Sequence, residues 1–124
     1  MVNAVLVTHG LLGAELVKTA EEILGPQTGI GVVSNSGVSL DRLSEHVGQL
    51  LSEDNQPVVL LVDLIGGSCS HAAQEIQRLH PNAAIVSGVN LPILLEFIAH
   101  RDRLSFDDLI IRLCQKGKDG IRCL

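Results

Sequence analysis

Pro57-Val58-Val59-Leu60-Leu61-Val62-Asp63-Leu64-Ile65-Gly66-Gly67-Ser68 is the most informative run in the chain. Val58 to Val62 is apolar without alternation, Pro57 opens it and Asp63 closes it. A strand that is apolar on both faces is buried on both, the mark of a parallel sheet covered by helices on two sides. Gly66-Gly67-Ser68 then makes a tight turn into a helix whose inward positions are Ala72, Ala73, Ile76 and Leu79.

The same alternation extends in both directions. Upstream, Val2 to Val7 reads as a strand, and Gly13 to Leu24 as a helix with Leu16, Ala20, Ile23 and Leu24 on one face, stopped by Gly25-Pro26. Ile30 to Val33 is a second strand. Ser39 caps a helix with the stripe Leu40, Leu43, Val47, Leu50 and Leu51. Downstream, Ala83 to Val86 is a fourth strand, and Pro92 suits the first turn of a helix ending near His100. Ser105 caps a last helix with the stripe Phe106, Leu109, Ile110, Leu113 and Cys114, which Gly117 is expected to end. Asp119 to Leu124 reads as a short terminal strand. Strand–helix alternation repeated four times predicts right-handed βαβ crossovers, hence an α/β, doubly wound, mostly parallel sheet with helices on both faces.

The chain of 124 residues is the length of one domain, expected to span residues 1–124. With 46% hydrophobic and 19% charged residues it is neither disordered nor membrane-spanning, since a spanning helix needs about 20 apolar residues. Nine Lys and Arg stand against 14 Asp and Glu, and Phe97 and Phe106 are the only aromatics. That balance excludes phosphate-backbone binding and base stacking, so no nucleic-acid partner is expected. Cys69, Cys114 and Cys123 form no CxxC pair and suit a reducing compartment. The N-terminus lacks the basic stretch of a secretory signal, so the cytoplasm is expected.

In such sheets ligands bind beyond the carboxyl ends of the strands, where the strand order switches. The first strand ends in Thr8-His9-Gly10, the third in Asp63 to Ser68, the fourth in Gly88-Val89-Asn90-Leu91-Pro92. With strand order 2-1-3-4, His9 and Asp63 are neighbours; with order 3-2-1-4, a strand separates them. Periodicity leaves both open. A carboxylate beside His9 would take the proton of one ring nitrogen and leave the other nitrogen's lone pair free. An imidazole of pKa about 6.5 can then act as nucleophile, base or metal ligand. Backbone N–H groups of Gly66 and Gly67 with the Ser68 hydroxyl can cradle an anion, and Gly10 and Gly13 allow close approach. Together these suggest a phosphoryl site. Each feature also has an ordinary structural use: a surface histidine, a capping aspartate, a βα turn. No GxxxxGK[ST] loop or GxGxxG fingerprint is present. The chemical rival is a metal set of His9, Asp63 and His71, which nothing in the spacing demands. His46, His80 and His100 are expected to be solvated bystanders.

At these residues the whole chain resembles the IIA domain of mannose-type (mannose/fructose/sorbose) sugar phosphotransferase systems. The resemblance is carried by Val-Thr-His9-Gly10, Leu-Val-Asp63-Leu-Ile-Gly66-Gly67-Ser68, Gly88-Val-Asn90-Leu-Pro92 and Lys118-Asp-Gly120-Ile. It implies that His9 is phosphorylated by the histidine phosphocarrier protein and passes the group to a IIB histidine, with Asp63 as orienter and no cofactor or metal. It implies strand order 2-1-3-4 and a fifth, antiparallel strand exchanged in a homodimer. Leu11, Ile65, Cys69, His71 and Asn90 are then expected to line the site or meet partners. The chain departs from the family at Cys69-Ser70-His71, where the family has Pro, an aromatic and Asn. That departure bears on docking: Cys69 reads as a small buried hydrophobe or part of a docking turn, and His71 as a polar helix residue or a titratable group near the phosphate. A separate IIB chain is expected, and the Asp63–Ser68 segment is closer to the sugar branch than to the dihydroxyacetone kinase branch. The other readings are a regulatory module that senses phosphorylation and a metal-dependent enzyme.

Overall fold

The computed structural model describes residues 1–51 and 55–124. The elements run β1 (Asn3–Thr8), α1 (Leu12–Leu24), β2 (Ile30–Ser34), α2 (Leu40–Gln49), β3 (Val58–Val62), α3 (Gly67–Leu79), β4 (Ala83–Ser87), α4 (Leu91–His100) and α5 (Phe106–Asp119). The four strands are parallel, in order β2-β1-β3-β4. The order that joins the ends of the first and third strands is therefore the one adopted, with Val7 opposite Val62 in the last rung between them.

Two cores explain the unbroken apolar strands. Val5, Val7, Val58, Leu60 and Val62 face α2 and α3, packing on Leu43, Val47, Ala72, Ala73 and Ile76. Ala4, Leu6, Val59 and Leu61 face the other way, onto Ala20, Ile93, Leu94, Phe97, Leu109 and Leu113. Successive strand residues point to opposite faces, so each strand stabilises both layers.

Several sequence expectations need correction. Leu79 is 71% exposed, and Ile23, Leu24, Leu40 and Leu50 are also partly solvent-facing; each lies in the first or last turn of its helix or, for Leu50, just after it. Cys114 is exposed as well. Gly117 does not end α5. It is buried within the helix, where an added Cβ would come within 2.7 Å of the Ile93 side chain, so here glycine serves close packing of α5 on α4. The helix continues to Asp119, and residues 120–124 are exposed and form no strand within the single chain. His100 is less solvated than expected: its Nε2 lies 3.1 Å from Glu96 Oε1, and Glu96 also takes Arg112 and so ties α4 to α5.

Arg101, buried at the end of α4, was not singled out by the sequence. Its guanidinium donates to the carbonyls of Val2 (2.9 and 2.6 Å) and Thr28 (2.8 Å), and stacks 4.9 Å from the Phe97 ring centre. It clamps the amino ends of β1 and β2, opposite the edge where the strand-end residues gather.

Candidate functional site

The site forms where β1 and β3 end side by side. β1 hands the chain to His9, and Gly10 turns it with φ +54°. Thr8, fully buried, accepts a hydrogen bond from the Gly13 N–H at 2.8 Å and so pins α1 to the strand end. A Cβ on Gly13 would lie 2.9 Å from Thr8 Oγ1 and 3.0 Å from Val32 Cγ1, which explains the glycine.

Asp63 Oδ2 receives two bonds from one residue. The His9 backbone N–H donates to it at 2.9 Å, and His9 Nδ1 lies 2.7 Å away. Asp63 Oδ1 accepts from the Leu64 N–H at 3.1 Å. Burial pushes the Asp63 carboxyl up, but the His9 backbone N–H, the His9 ring hydrogen bond and its charge outweigh it and hold the carboxyl below its ordinary range. An ionised Asp63 sets the proton on Nδ1, leaving Nε2 as the nitrogen with the lone pair. The His9 side chain is 49% exposed while that of Asp63 is 7% exposed, so the pair is anchored inward and open outward.

The third element is the turn into α3. Gly66 and Gly67 have φ +83° and +80°, and an added Cβ at either would meet nothing within 4 Å. They are glycines for backbone conformation, not for space. No side chain caps α3, so its first N–H groups are not engaged by a cap residue. Ser68 Oγ accepts from Asn35 Nδ2 at 3.1 Å, which orients the hydroxyl. Asn35 follows β2 and was overlooked; the signal was that a parallel sheet brings the end of β2 to the same edge. Around the pair, Leu11 (74%) and Ile65 (82%) stand exposed.

Residues 3–113 match the family described as "PTS system fructose IIA component". The chain belongs to the mannose-type IIA family of the sugar phosphotransferase systems. It is 32% identical over 126 residues to the mannose-specific EIIAB component of Escherichia coli K12, covering 97% of this chain and 38% of that protein's length. With the fructose-specific EIIA component of Bacillus subtilis it shares 30% identity over 116 residues, covering 91% of this chain and 80% of the relative. The crystal structure of the phosphotransferase system component EIIA from Streptococcus agalactiae superposes with a TM-score of 0.92 over 99% of this chain and 97% of the other, at 21% identity. That likeness extends the agreement to the fold.

Within this IIA chain the remaining expected residues separate. Cys69 is fully buried, with Sγ 3.7 Å from His9 Nδ1. Burial first, and the Asp63 charge second, push its thiol up, with a smaller opposing effect from the Ser68 hydrogen bond. His71 instead faces solvent from α3, with Nε2 3.8 Å from Glu75. It is not in the cluster that His9 and Asp63 form with Cys69. Asn90 caps α4, accepting from the Ile93 N–H at 3.0 Å and donating to the Gly117 carbonyl at 3.1 Å. Its amide is thus used to join α4 to α5. Among the described residues, no helix is long and apolar enough to cross a membrane.

Proposed function

We propose that this chain is the phosphoryl carrier of a phosphoenolpyruvate-dependent sugar phosphotransferase system. His9 takes the group from a histidine phosphocarrier protein and passes it to a histidine of a separate IIB component, in the cytoplasm. The observation that carries this is the pairing of His9 Nδ1 with Asp63 Oδ2 at 2.7 Å on a half-exposed ring.

The lone pair of His9 Nε2 attacks the phosphorus of the donor phosphohistidine in line. A P–N bond to Nε2 forms as the donor's P–N bond breaks, and the donor imidazole leaves with its electron pair. No proton has to leave Nε2, because the Nδ1 proton stays on the Asp63 side. The His9 ring gains positive charge as the bond forms, and the Asp63 carboxylate stabilises that charge at contact distance. The N–H groups of Gly66 and Gly67 and the Ser68 hydroxyl donate to the equatorial phosphoryl oxygens, and Gly10 lets the donor approach. Transfer to IIB is the same step reversed. Leu11 and Ile65 form the apolar rim on which partners seat and from which water is displaced.

The working unit is a homodimer in which residues 120–124, which follow α5, add an antiparallel strand to a partner's sheet. The unpaired edge of β4 supports this, as does the cleft of about 350 Å³ beside it, lined by Ile85, Val86, Ser87, Cys114, Lys118 and Ile121. Light scattering of the full chain should give twice the chain mass, and a monomer contradicts the dimer. For the carrier itself, the test is incubation with phosphoenolpyruvate and the general phosphotransferase enzymes. The full chain should take up one phosphoryl group and His9→Ala none; uptake by His9→Ala contradicts the reading.

A further inference from the structure

The phosphoryl mechanism uses His9 and Asp63 but leaves Cys69 without a task. One potential ligand atom from each of His9, Asp63 and Cys69 lies within 4.8 Å of the other two. Sγ stands 3.7 Å from Nδ1, and Nδ1 2.7 Å from Oδ2. Tetrahedral zinc, with bonds of about 2.3 Å to sulfur and about 2.0–2.1 Å to nitrogen and oxygen, sets its N and S ligands about 3.6 Å apart and its N and O ligands about 3.3 Å apart. The sulfur–nitrogen spacing already fits. The nitrogen–oxygen spacing needs to open by about half an ångström, a small swing of a half-exposed ring.

We propose that His9 Nδ1, Asp63 Oδ2 and Cys69 Sγ bind a thiophilic divalent cation such as Zn²⁺, and that this ion and the phosphoryl group exclude one another. The second half rests on the carrier function proposed above. On binding, the ion takes the place of the proton between Nδ1 and Asp63. The imidazole remains neutral by carrying its proton on Nε2 instead, the thiol proton goes to solvent, and water completes the fourth position. Nε2–H has no lone pair for phosphorus, so the metal-loaded chain cannot accept the group. Conversely, an Nε2-phosphorylated ring keeps its proton on Nδ1 against Asp63, which closes the metal position.

The test uses the full chain with Cys114→Ser and Cys123→Ser, which removes the two exposed thiols, and cobalt(II) as an optical probe. One equivalent should give the thiolate charge-transfer band and the visible bands of a tetrahedral site, displaced by zinc and absent after Cys69→Ser, with folding of the variant checked by its melting curve. Phosphoryl uptake is then followed from purified phosphorylated histidine carrier protein, so that zinc meets no charging enzyme. At free zinc about ten times Kd, uptake should fall to about a tenth of the same chain's zinc-free rate and recover with chelator. In Cys69→Ser the ratio of rates with and without zinc should return toward one. The same cobalt spectrum in Cys69→Ser, or no tetrahedral spectrum at all, overturns the site. A tetrahedral spectrum with unchanged uptake overturns the exclusion. Failure of the metal-free chain to take up phosphate refutes the carrier reading instead, while the spectrum still decides the site.

Discussion

Replacing Asp63 by Asn removes one negative charge and almost no volume, so it isolates the electrostatic part of the mechanism. Asp63 Oδ2 holds both the backbone N–H and the ring of His9, at 2.9 and 2.7 Å. An asparagine has one oxygen for these two bonds. If its NH₂ turns to the ring, Nδ1 becomes the acceptor, the proton moves to Nε2, and the nucleophilic lone pair is lost. If its oxygen turns to the ring, the tautomer survives but the carboxylate facing the developing imidazolium is gone. A hydrogen bond to a charged group contributes about 1.5–3 kcal/mol, which corresponds to about 10- to 150-fold in rate. The His9 side chain is 49% exposed, and water supplies part of the lost stabilisation, which favours the lower half of that range. Rapid-quench measurement of phosphoryl uptake from the phosphorylated histidine carrier reads the first-order step directly. Asp63→Asn should slow it about 10- to 50-fold with the melting curve still cooperative. Uptake within twofold of the parent chain would refute the role given to the carboxylate.

Three further expectations follow from the same structure. Because the folded Asp63 carboxyl titrates below its ordinary range, its stabilising contribution is present above about pH 4 and is lost as pH falls through the folded value; urea titrations should therefore show the gap between the parent chain and Asp63→Asn closing below about pH 4. Asn35→Ala frees the Ser68 hydroxyl and should slow uptake by about fivefold, roughly 1 kcal/mol, with less effect on stability; an unchanged rate argues against a hydrogen bond from the Ser68 hydroxyl to the phosphoryl oxygens. Arg101→Met removes the donors to the carbonyls of Val2 and Thr28 and should cost about 1–3 kcal/mol in urea unfolding while leaving the tautomer of His9 intact; a loss under about 0.5 kcal/mol would contradict the clamp.

The strands were legible because Val58 to Val62 and its counterparts are apolar in unbroken runs, and the caps because Ser39 and Ser105 precede clean helical stripes, each accepting a backbone N–H at the start of its helix. Strand order was not legible from periodicity, since both orders bury the same residues; the family resemblance selected the one adopted. Gly117 misled because a glycine near a helix end reads as a stop, whereas here it lets Ile93 pack. The sequence left Cys69 open between a small buried hydrophobe and part of a docking turn, and the structure buries it. Its 3.7 Å approach to His9 was not legible, because that depends on how the ends of β1 and β3 come together. Asn35 and Arg101 escaped for a similar reason: each makes contacts far away in the chain, to Ser68 and to Val2.

In the proposed mechanism the Asp63-anchored tautomer of His9 carries the phosphoryl group on Nε2. Nitrogen-15 and phosphorus-31 NMR of the chain labelled at histidine, phosphorylated and held at alkaline pH, tests it most directly. One phosphorus should couple to His9 Nε2; phosphorus on Nδ1, or on any of the other histidines, would contradict the account.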